Sequence, residues 1–163
     1  MNFKNNLVLI DSTVSYDEIK NFKDDSNFIT FDYDSHLMLK KNNIEHIISD
    51  SFIEKNEFDI IQEKIYNFSN WYDDEKLSKE LKHRSVNLGS LFYIEFWMFL
   101  IPIAKKFYEI IKISEKLNSK NILAGQIICQ LGKCLQLEFK NLSDKQHDIN
   151  YFYDYFTFDS NIF

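Results

Sequence analysis

The sequence predicts an α/β fold, an open parallel sheet of four to five strands flanked by helices. Short apolar runs such as Leu7–Ile10 and Phe28–Phe31 are typical of strands buried on both faces. Helix-start signals follow within a few residues, and connections this short favour parallel strands with right-handed crossovers. At 163 residues the chain is large enough for one domain with a substantial core.

The first strand and helix have the clearest local signals. The apolar run Leu7–Ile10 ends at Asp11, Ser12 and Thr13. Ser15 to Glu18 then matches a capping box, because Ser and Glu stand three residues apart at the start of a helical pattern. We therefore expect a helix from Tyr16 to about Lys23.

The next segment repeats this pattern twice. Phe28–Phe31 predicts a second strand, and Ser35 is the expected cap of a short helix, His36–Asn42, which Asn42-Asn43 would end in a left-handed turn. Glu45–Ser49 predicts a third strand. Ser51–Glu54 is a second capping-box match.

A helical insertion is predicted between strands 3 and 4, at about residues 52–118. Two helices are expected in residues 58–81, followed by the apolar helix Ser90–Leu117. We expect its first half to be buried, its second half to be amphipathic, and a kink or restart at Pro102. Glu95 interrupts the apolar run, so the sequence favours packing against the sheet over a membrane span.

The last predicted elements are a fourth strand, Asn121–Ala124, and a helix, Gln126–Phe139. The C-terminal segment, residues 150–163, is rich in aromatic residues, and Tyr153–Phe158 alternates as a strand does. It is predicted either to form a fifth strand or to pack on another protomer.

Composition excludes several classes of function. The net charge is −6 and no basic run is longer than Lys82–Arg84, which argues against nucleic-acid binding. The N-terminus begins with a strand-like run, so we expect no secretory signal and a cytoplasmic protein. Cys129 and Cys134 are predicted to be reduced core residues. No metal-ligand spacing is present, and we expect no metal and no cofactor.

Acids and serines at the predicted strand ends form the candidate ligand site. In an open parallel sheet, ligands bind at the carboxyl ends of the strands, where the strand order reverses. A strand order of 3-2-1-4 would place this point between strands 1 and 4. Helix capping and turn formation remain the alternative interpretation of the same residues. The candidate ligand-binding residues are Asp11, Ser12, Thr13, Asp32, Asp34, Ser35, Asp50, Gly125 and Gln126.

No catalytic motif is recognisable, so the catalytic residues are unknown and enzymatic activity stays an open question. The histidines are scattered in the sequence, without a pair at helical spacing, and they are interpreted as ordinary surface or core residues. The cluster Lys79–Arg84 could hold a phosphate, but a solvated helix end is the favoured interpretation. The four histidines are His36, His46, His83 and His147.

The order LVLIDS, FITFDYDSHLMLKKNNIEHIISDSF, a helical insertion and then NILAG resembles the N-terminal half-domain of surface-polysaccharide biosynthesis proteins of the GT-B glycosyltransferase type. The resemblance covers most of residues 5–140. It implies a Rossmann-like domain on the acceptor side of a cleft, with the nucleotide sugar bound by a second domain. Because the chain ends at Phe163, we expect that donor-binding half to be absent.

Two hypotheses follow. In the first, residues 1–163 form one Rossmann-like acceptor-side domain of a glycosyltransferase-like protein, without complete activity alone, that takes a glycan or nucleotide-sugar ligand. In the second, the chain is a non-enzymatic α/β interaction module that dimerises or docks through its aromatic C-terminal segment. The expected partners are a second copy of the chain or a missing C-terminal domain.

Overall fold

The protein has an α/β fold built on a five-stranded parallel sheet, and this confirms the predicted fold class. The computed structural model describes residues 6–117 and 121–142. The strands are β1 (Asn6–Ile10), β2 (Ser26–Thr30), β3 (Ile47–Ile48), β4 (Lys82–His83), β5 (Val86–Asn87), β6 (Asn121–Ala124) and β7 (Lys140–Asn141). The helices are α1 (Tyr16–Ile19), α2 (Tyr33–Lys41), α3 (Lys55–Ser69), α4 (Glu75–Leu81), α5 (Tyr93–Leu117) and α6 (Gln126–Cys134).

The strands of the main sheet lie in the order β3-β2-β1-β6-β7, and every neighbouring pair is parallel. With β6 as the fourth strand, this is the order 3-2-1-4 that was considered for the ligand site, although the sequence alone left the strand order open. Strand β1 lies at the centre, and its residues Leu7 to Ile10 are at most 2% exposed. Such a strand is covered on both faces, which explains why its sequence is a continuous apolar run.

The fifth strand is β7, at Lys140–Asn141, whereas the C-terminal segment predicted as a strand lies outside the described residues. The predicted helix Gln126–Phe139 is too long, because α6 ends at Cys134. Gln136 adopts a left-handed φ of 59°, and the Leu137 amide donates to the Gly132 carbonyl at 2.8 Å. This is the geometry of a Schellman motif, which reverses the chain.

Helix starts agree with the sequence at α1 and differ at α2 and α3. Glu18 accepts a hydrogen bond from the Ser15 amide at 2.7 Å, as the capping box predicts. Helix α2 starts three residues before the predicted His36, because Asp32 and not Ser35 is its cap. Helix α3 is capped by Glu54, since Ser49–Phe52 forms a separate 3-10 turn.

The described chain divides into two compact units, and the division falls within α5. The sheet unit comprises the described residues of 6–52, 109–117 and 121–142. The insertion unit is Ile53–Tyr108. The predicted insertion, about residues 52–118, thus extends further than the insertion unit, because residues 109–117 belong to the sheet unit.

The sheet unit has a continuous apolar core on the side of β1 and β2 that faces α1 and α2. Its members come from the strands, from both helices and from the turns after them. They are Val8, Ile10, Val14, Ile19, Phe28, Leu39 and Ile44.

The insertion unit contains the two helices predicted in residues 58–81, α3 and α4, joined by a 3-10 turn at Trp71–Asp73. Aromatic rings pack edge to face inside it: the ring centroids of Tyr66 and Tyr93 lie 5.7 Å apart, and those of Tyr72 and Tyr93 lie 6.3 Å apart. Edge-to-face pairs at this separation are favourable.

The prediction that the first half of α5 is buried is wrong. Ile94 and Met98 are 58% and 63% exposed, and Trp97 and Phe99 are only half-buried. Within residues 93–108 the helix buries one stripe, Leu100, Ala104 and Phe107, although the sequence of its first half is apolar on all sides. It also continues through Pro102, so the predicted restart does not occur.

Candidate functional site

The carboxyl ends of β1, β2 and β3 carry the predicted site residues along one edge of the sheet. The strands pair in register, with Ile10 opposite Thr30 and Thr30 opposite Ile48. The acids that follow these strands therefore come to the same edge. Their hydrogen bonds decide which of them remain available to a ligand.

Asp11 is fully buried, and its carboxylate already has protein donors. It accepts hydrogen bonds from the Thr13 amide at 2.9 Å, from the Thr13 hydroxyl and from the Ile128 amide at 3.0 Å. The Thr13 hydroxyl oxygen in turn accepts from the Gln126 amide at 3.0 Å. The amino end of α6 is thus capped from the end of β1. A carboxylate at this position also interacts favourably with the helix dipole.

Gly125 fits tightly against this carboxylate. A Cβ atom at Gly125 would lie 2.4 Å from Asp11 Oδ2, which is closer than side chains approach one another. The glycine is therefore required by Asp11, whereas the sequence analysis placed it among the candidate ligand-binding residues. The backbone amides at the start of α6 could have bound an anion, but those of Gln126 and Ile128 donate to Thr13 and Asp11 instead.

Asp32 joins two strand ends. Its Oδ2 accepts from the Ser12 amide at 2.7 Å, and its Oδ1 accepts from the Ser35 amide at the start of α2 at 2.8 Å. The Ser35 hydroxyl donates to the Asp32 carbonyl oxygen at 3.0 Å. Asp32 is only half-buried, so one side of its carboxylate remains open. Asp34 is exposed in the first turn of α2 and does not line a described cleft.

A cleft of about 430 Å³ lies at the carboxyl ends of β2 and β3, within the sheet unit. Its volume is in the range of pockets that bind small molecules. Two of the predicted residues, Asp32 and Asp50, line it, and the other lining residues were not predicted. The lining consists of Phe31, Asp32, Tyr33, His36, Ile48, Ser49 and Asp50.

Two histidines meet beside this cleft, which corrects the interpretation that they are scattered. His36 Nδ1 lies 2.8 Å from His46 Nε2, and His46 Nδ1 lies 2.8 Å from the Ile44 carbonyl oxygen. A carbonyl only accepts, so His46 Nδ1 carries a proton, and in the neutral form of this ring its Nε2 accepts from His36 Nδ1. His36 Nε2 is the ring nitrogen left for a ligand.

The chemistry of the lining selects among ligand classes. The cleft offers two carboxylates, a serine, an imidazole and two aromatic rings, and it contains no lysine or arginine. Carboxylates accept hydrogen bonds from hydroxyl groups and repel phosphates. In the part of the chain that the structure describes, no group of three or more His, Cys, Asp or Glu residues could hold a metal ion. A neutral, hydroxyl-rich ligand fits this lining best.

The sequence offered a partial signal for the residues that it missed. Phe31, Tyr33 and His36 lie within four residues of Asp32, which marked the strand end. Their place in the cleft could have been predicted, because residues close in sequence to Asp32 lie at the same edge of the sheet. The contact between His36 and His46 has no such signal, because it depends on how α2 returns to β3.

Both cysteines are free, as predicted for reduced residues. Cys129 is buried, whereas Cys134 is only half-buried and is not a core residue. Burial, together with the nearby Asp11 carboxylate, raises the pKa of the Cys129 thiol to about 11. Such a thiol remains protonated at neutral pH and is a poor nucleophile.

Comparison of the chain with protein-family models, with curated proteins and with solved structures finds no match.

Proposed function

We propose that the sheet unit binds the sugar acceptor of a glycan-building reaction, as the acceptor-side domain of a glycosyltransferase-like protein without complete activity alone. The observation that carries this proposal is the composition of the cleft: two carboxylates, aromatic rings and no cation. A nucleotide sugar brings a diphosphate, which this lining would repel. The acceptor sugar brings hydroxyl groups, which it would bind.

Each lining group has a place in this proposal. The Asp32 oxygens each accept one amide hydrogen bond, and a carboxylate oxygen can accept two, so both retain capacity for a sugar hydroxyl. Asp50 is exposed in the 3-10 turn after β3. Tyr33 is 72% exposed and supplies a flat ring for the apolar face of a sugar. His36 Nε2 supplies a further polar contact.

Binding of neutral sugars to the intact chain tests the proposal. Isothermal titration with oligosaccharides should show binding that Tyr33→Ala and Asp50→Asn each weaken roughly tenfold, equivalent to about 1.4 kcal/mol. Asp34→Asn is the matched control, because Asp34 is exposed on the same helix turn and does not line the cleft.

The opposite ligand preference would contradict the proposal. Nucleotide diphosphates should bind more weakly than neutral sugars, because the two carboxylates repel them. If nucleotides bind better, or if Asp34→Asn weakens sugar binding as much as Asp50→Asn does, the cleft is not an acceptor site.

The second candidate function is an interaction module, and exposed apolar side chains favour it. Of the fourteen large hydrophobic residues that are exposed among the described residues, eleven belong to the insertion unit. The aromatic C-terminal segment that was expected to dock lies outside the described residues. The two candidates are compatible, because they use different units of the chain.

A further inference from the structure

The insertion unit has an exposed surface that is both apolar and basic, here called the apolar-basic surface. Its apolar members lie in β5, in the 3-10 turn after it and in the start of α5, and its cations lie in the hairpin β4-β5. Large apolar patches on a protein surface mark sites of interaction. The members are Lys82, Arg84, Val86, Leu88, Leu91, Phe92, Ile94 and Met98.

The exposed stripe of α5 is apolar where a helix at the surface of a domain is usually polar. Ile94, Met98 and Pro102 are spaced four residues apart and therefore share one helix face, and all three are exposed. Just before the helix, Leu91 and Phe92 are 61% and 64% exposed. These side chains have no cover in the part of the chain that the structure describes.

The hairpin that precedes this stripe in the chain presents cations. Lys82–His83 pairs antiparallel with Val86–Asn87, and the two turn residues, Arg84 and Ser85, have φ values of 47° and 72°. Two positive φ values are characteristic of a tight type I′ turn, so Arg84 lies at the hairpin tip. Neither Lys82 nor Arg84 forms an ion pair within the described ranges 6–117 and 121–142.

Asn87 attaches the hairpin to the apolar turn. Its side chain accepts from the Gly89 amide at 3.0 Å and donates to the Tyr72 carbonyl at 2.9 Å. A side chain at Gly89 would meet Tyr72 Cβ at 2.4 Å, so the turn also packs closely at this point. The hairpin, in which Lys82 pairs with Asn87, is therefore tied to the start of the apolar turn.

We propose that the apolar-basic surface binds the surface of a lipid bilayer that contains anionic lipids. Leu91, Phe92, Ile94 and Met98 would enter the headgroup region, with Lys82 and Arg84 against lipid phosphates. Local charge supports this occupant: residues 82–94 contain Lys82 and Arg84 and no acid, in a chain whose net charge is −6, and Glu95 is the one acid within residues 82–98. Apolar insertion beside cations is the usual composition of a membrane-surface helix.

The segment would lie on the bilayer and not cross it. By length and composition alone Leu88–Lys116 could span a membrane, and only 17% of its most apolar window is buried. However, the exposed stripe of α5 runs from Ile94 to Pro102, which is nine residues or about 14 Å of helix, whereas a bilayer core is about 30 Å thick. Farther along α5, Ile110 and Ile113 are fully buried and belong to the sheet unit.

A second copy of the chain is a less suitable occupant. Two copies that face each other through this surface would bring Lys82 and Arg84 near their own equivalents, and like charges at such an interface are unfavourable. A bilayer with anionic headgroups instead supplies the opposite charge.

Vesicle flotation with the intact chain tests the proposal. The protein should float with vesicles of phosphatidylcholine mixed with phosphatidylglycerol, and far less with phosphatidylcholine alone. The double variant Leu91→Ser/Phe92→Ser should lower the bound fraction roughly tenfold, because it removes the inserted side chains. Lys82→Glu/Arg84→Glu should have a similar effect, and added salt should weaken binding of the unaltered chain.

Matched controls separate this surface from general stickiness. Ile60→Ser removes an aliphatic side chain that is 52% exposed between the acids Asp59 and Glu63, and it should leave flotation unchanged. Lys40→Glu/Lys41→Glu makes the same charge change in the sheet unit and should also have little effect. Far-ultraviolet circular dichroism of each variant checks that the fold is retained.

Four outcomes would overturn the proposal. The first is no flotation with either vesicle, and the second is equal flotation with both. The third is a dimer by light scattering that Leu91→Ser/Phe92→Ser dissociates without any lipid binding, which would assign the surface to a second copy. The fourth is flotation only of a chain that ends at Asn150, which would assign the surface to the C-terminal segment.

Discussion

Asp11 was predicted to bind a ligand, whereas in the structure its carboxylate accepts hydrogen bonds from the protein itself. A carboxylate at the carboxyl end of a central strand and a glycine before a helix are features of ligand sites in parallel sheets. Here the carboxylate accepts from Thr13 and Ile128, and Gly125 packs against it. These contacts connect β1 to α6 and give Asp11 a structural role.

Replacement of Asp11 by asparagine should therefore destabilise the fold. The asparagine side chain has one acceptor oxygen and an NH₂ group that only donates. At least one of the groups that now donate to Asp11 would therefore lose its acceptor. A buried unpaired donor costs about 1–3 kcal/mol. Urea unfolding of Asp11→Asn should show a loss of that size, whereas Asp34→Asn should change stability by less than about 0.5 kcal/mol. Equal stability of the two variants would contradict the structural role.

At the scale of elements, α6 and its neighbours show why helix ends were harder to predict than helix existence. The apolar positions of α6 continue to Phe139 in the sequence, yet the helix ends at Cys134. Phe139 returns to pack on Gly132, where a Cβ atom would lie 2.5 Å from its ring. Gly132 weakens α6 as an isolated helix, but its lack of a side chain makes room for the Phe139 ring. This role of the glycine follows from the tertiary contact and could not be read from the sequence.

The burial of α5 was also only partly predictable from its sequence. Its sequence predicts a buried first half, because nothing in a run of apolar residues indicates which side will be covered. In the structure one stripe is covered, and the rest of the first half is half-buried or exposed. The amphipathic pattern of the second half was only partly informative: Glu115 and Lys116 are exposed, whereas Glu109, expected on the same polar face, is 2% exposed.

Two phenylalanines associated with α5 should therefore respond very differently to truncation. Phe107 is 4% exposed, and Phe107→Ala should lower the free energy of unfolding by about 3–5 kcal/mol. Phe92 is 64% exposed, and Phe92→Ala should change it by less than about 0.5 kcal/mol. Urea unfolding of both variants provides the measurement. A large loss with Phe92→Ala would mean that this side chain is covered in solution.

At the scale of the whole molecule, the fold class was predictable because it depends on local signals. Buried strands, short connections and right-handed crossovers leave few arrangements, but the choice of β3-β2-β1-β6 among them became known only from the structure. The cleft was only half predictable. Asp32 and Asp50 mark strand ends in the sequence, whereas His36 and His46 meet only through the path of the chain between α2 and β3.

The distribution of buried residues also predicts where the molecule opens most readily. The central strand β1 is hydrogen-bonded on both sides, to β2 and to β6, and its apolar residues are almost fully buried. The hairpin β4-β5 is two-stranded and exposed from Lys82 to Val86. Amides in such exposed elements exchange through local opening, whereas those of a central strand exchange through global unfolding.

Hydrogen exchange measured by nuclear magnetic resonance should therefore rank the two elements. The amides of Val8, Leu9 and Ile10 should exchange slowest, with an opening free energy that equals the global value, about 5–15 kcal/mol for a domain of this kind. Residues 82–87 should exchange orders of magnitude faster. The global value from urea unfolding of the same chain is the control. If the β1 amides exchange as fast as those of the hairpin, β1 is not the stable centre of the sheet, and the contacts of Asp11 at its end would be rarely intact.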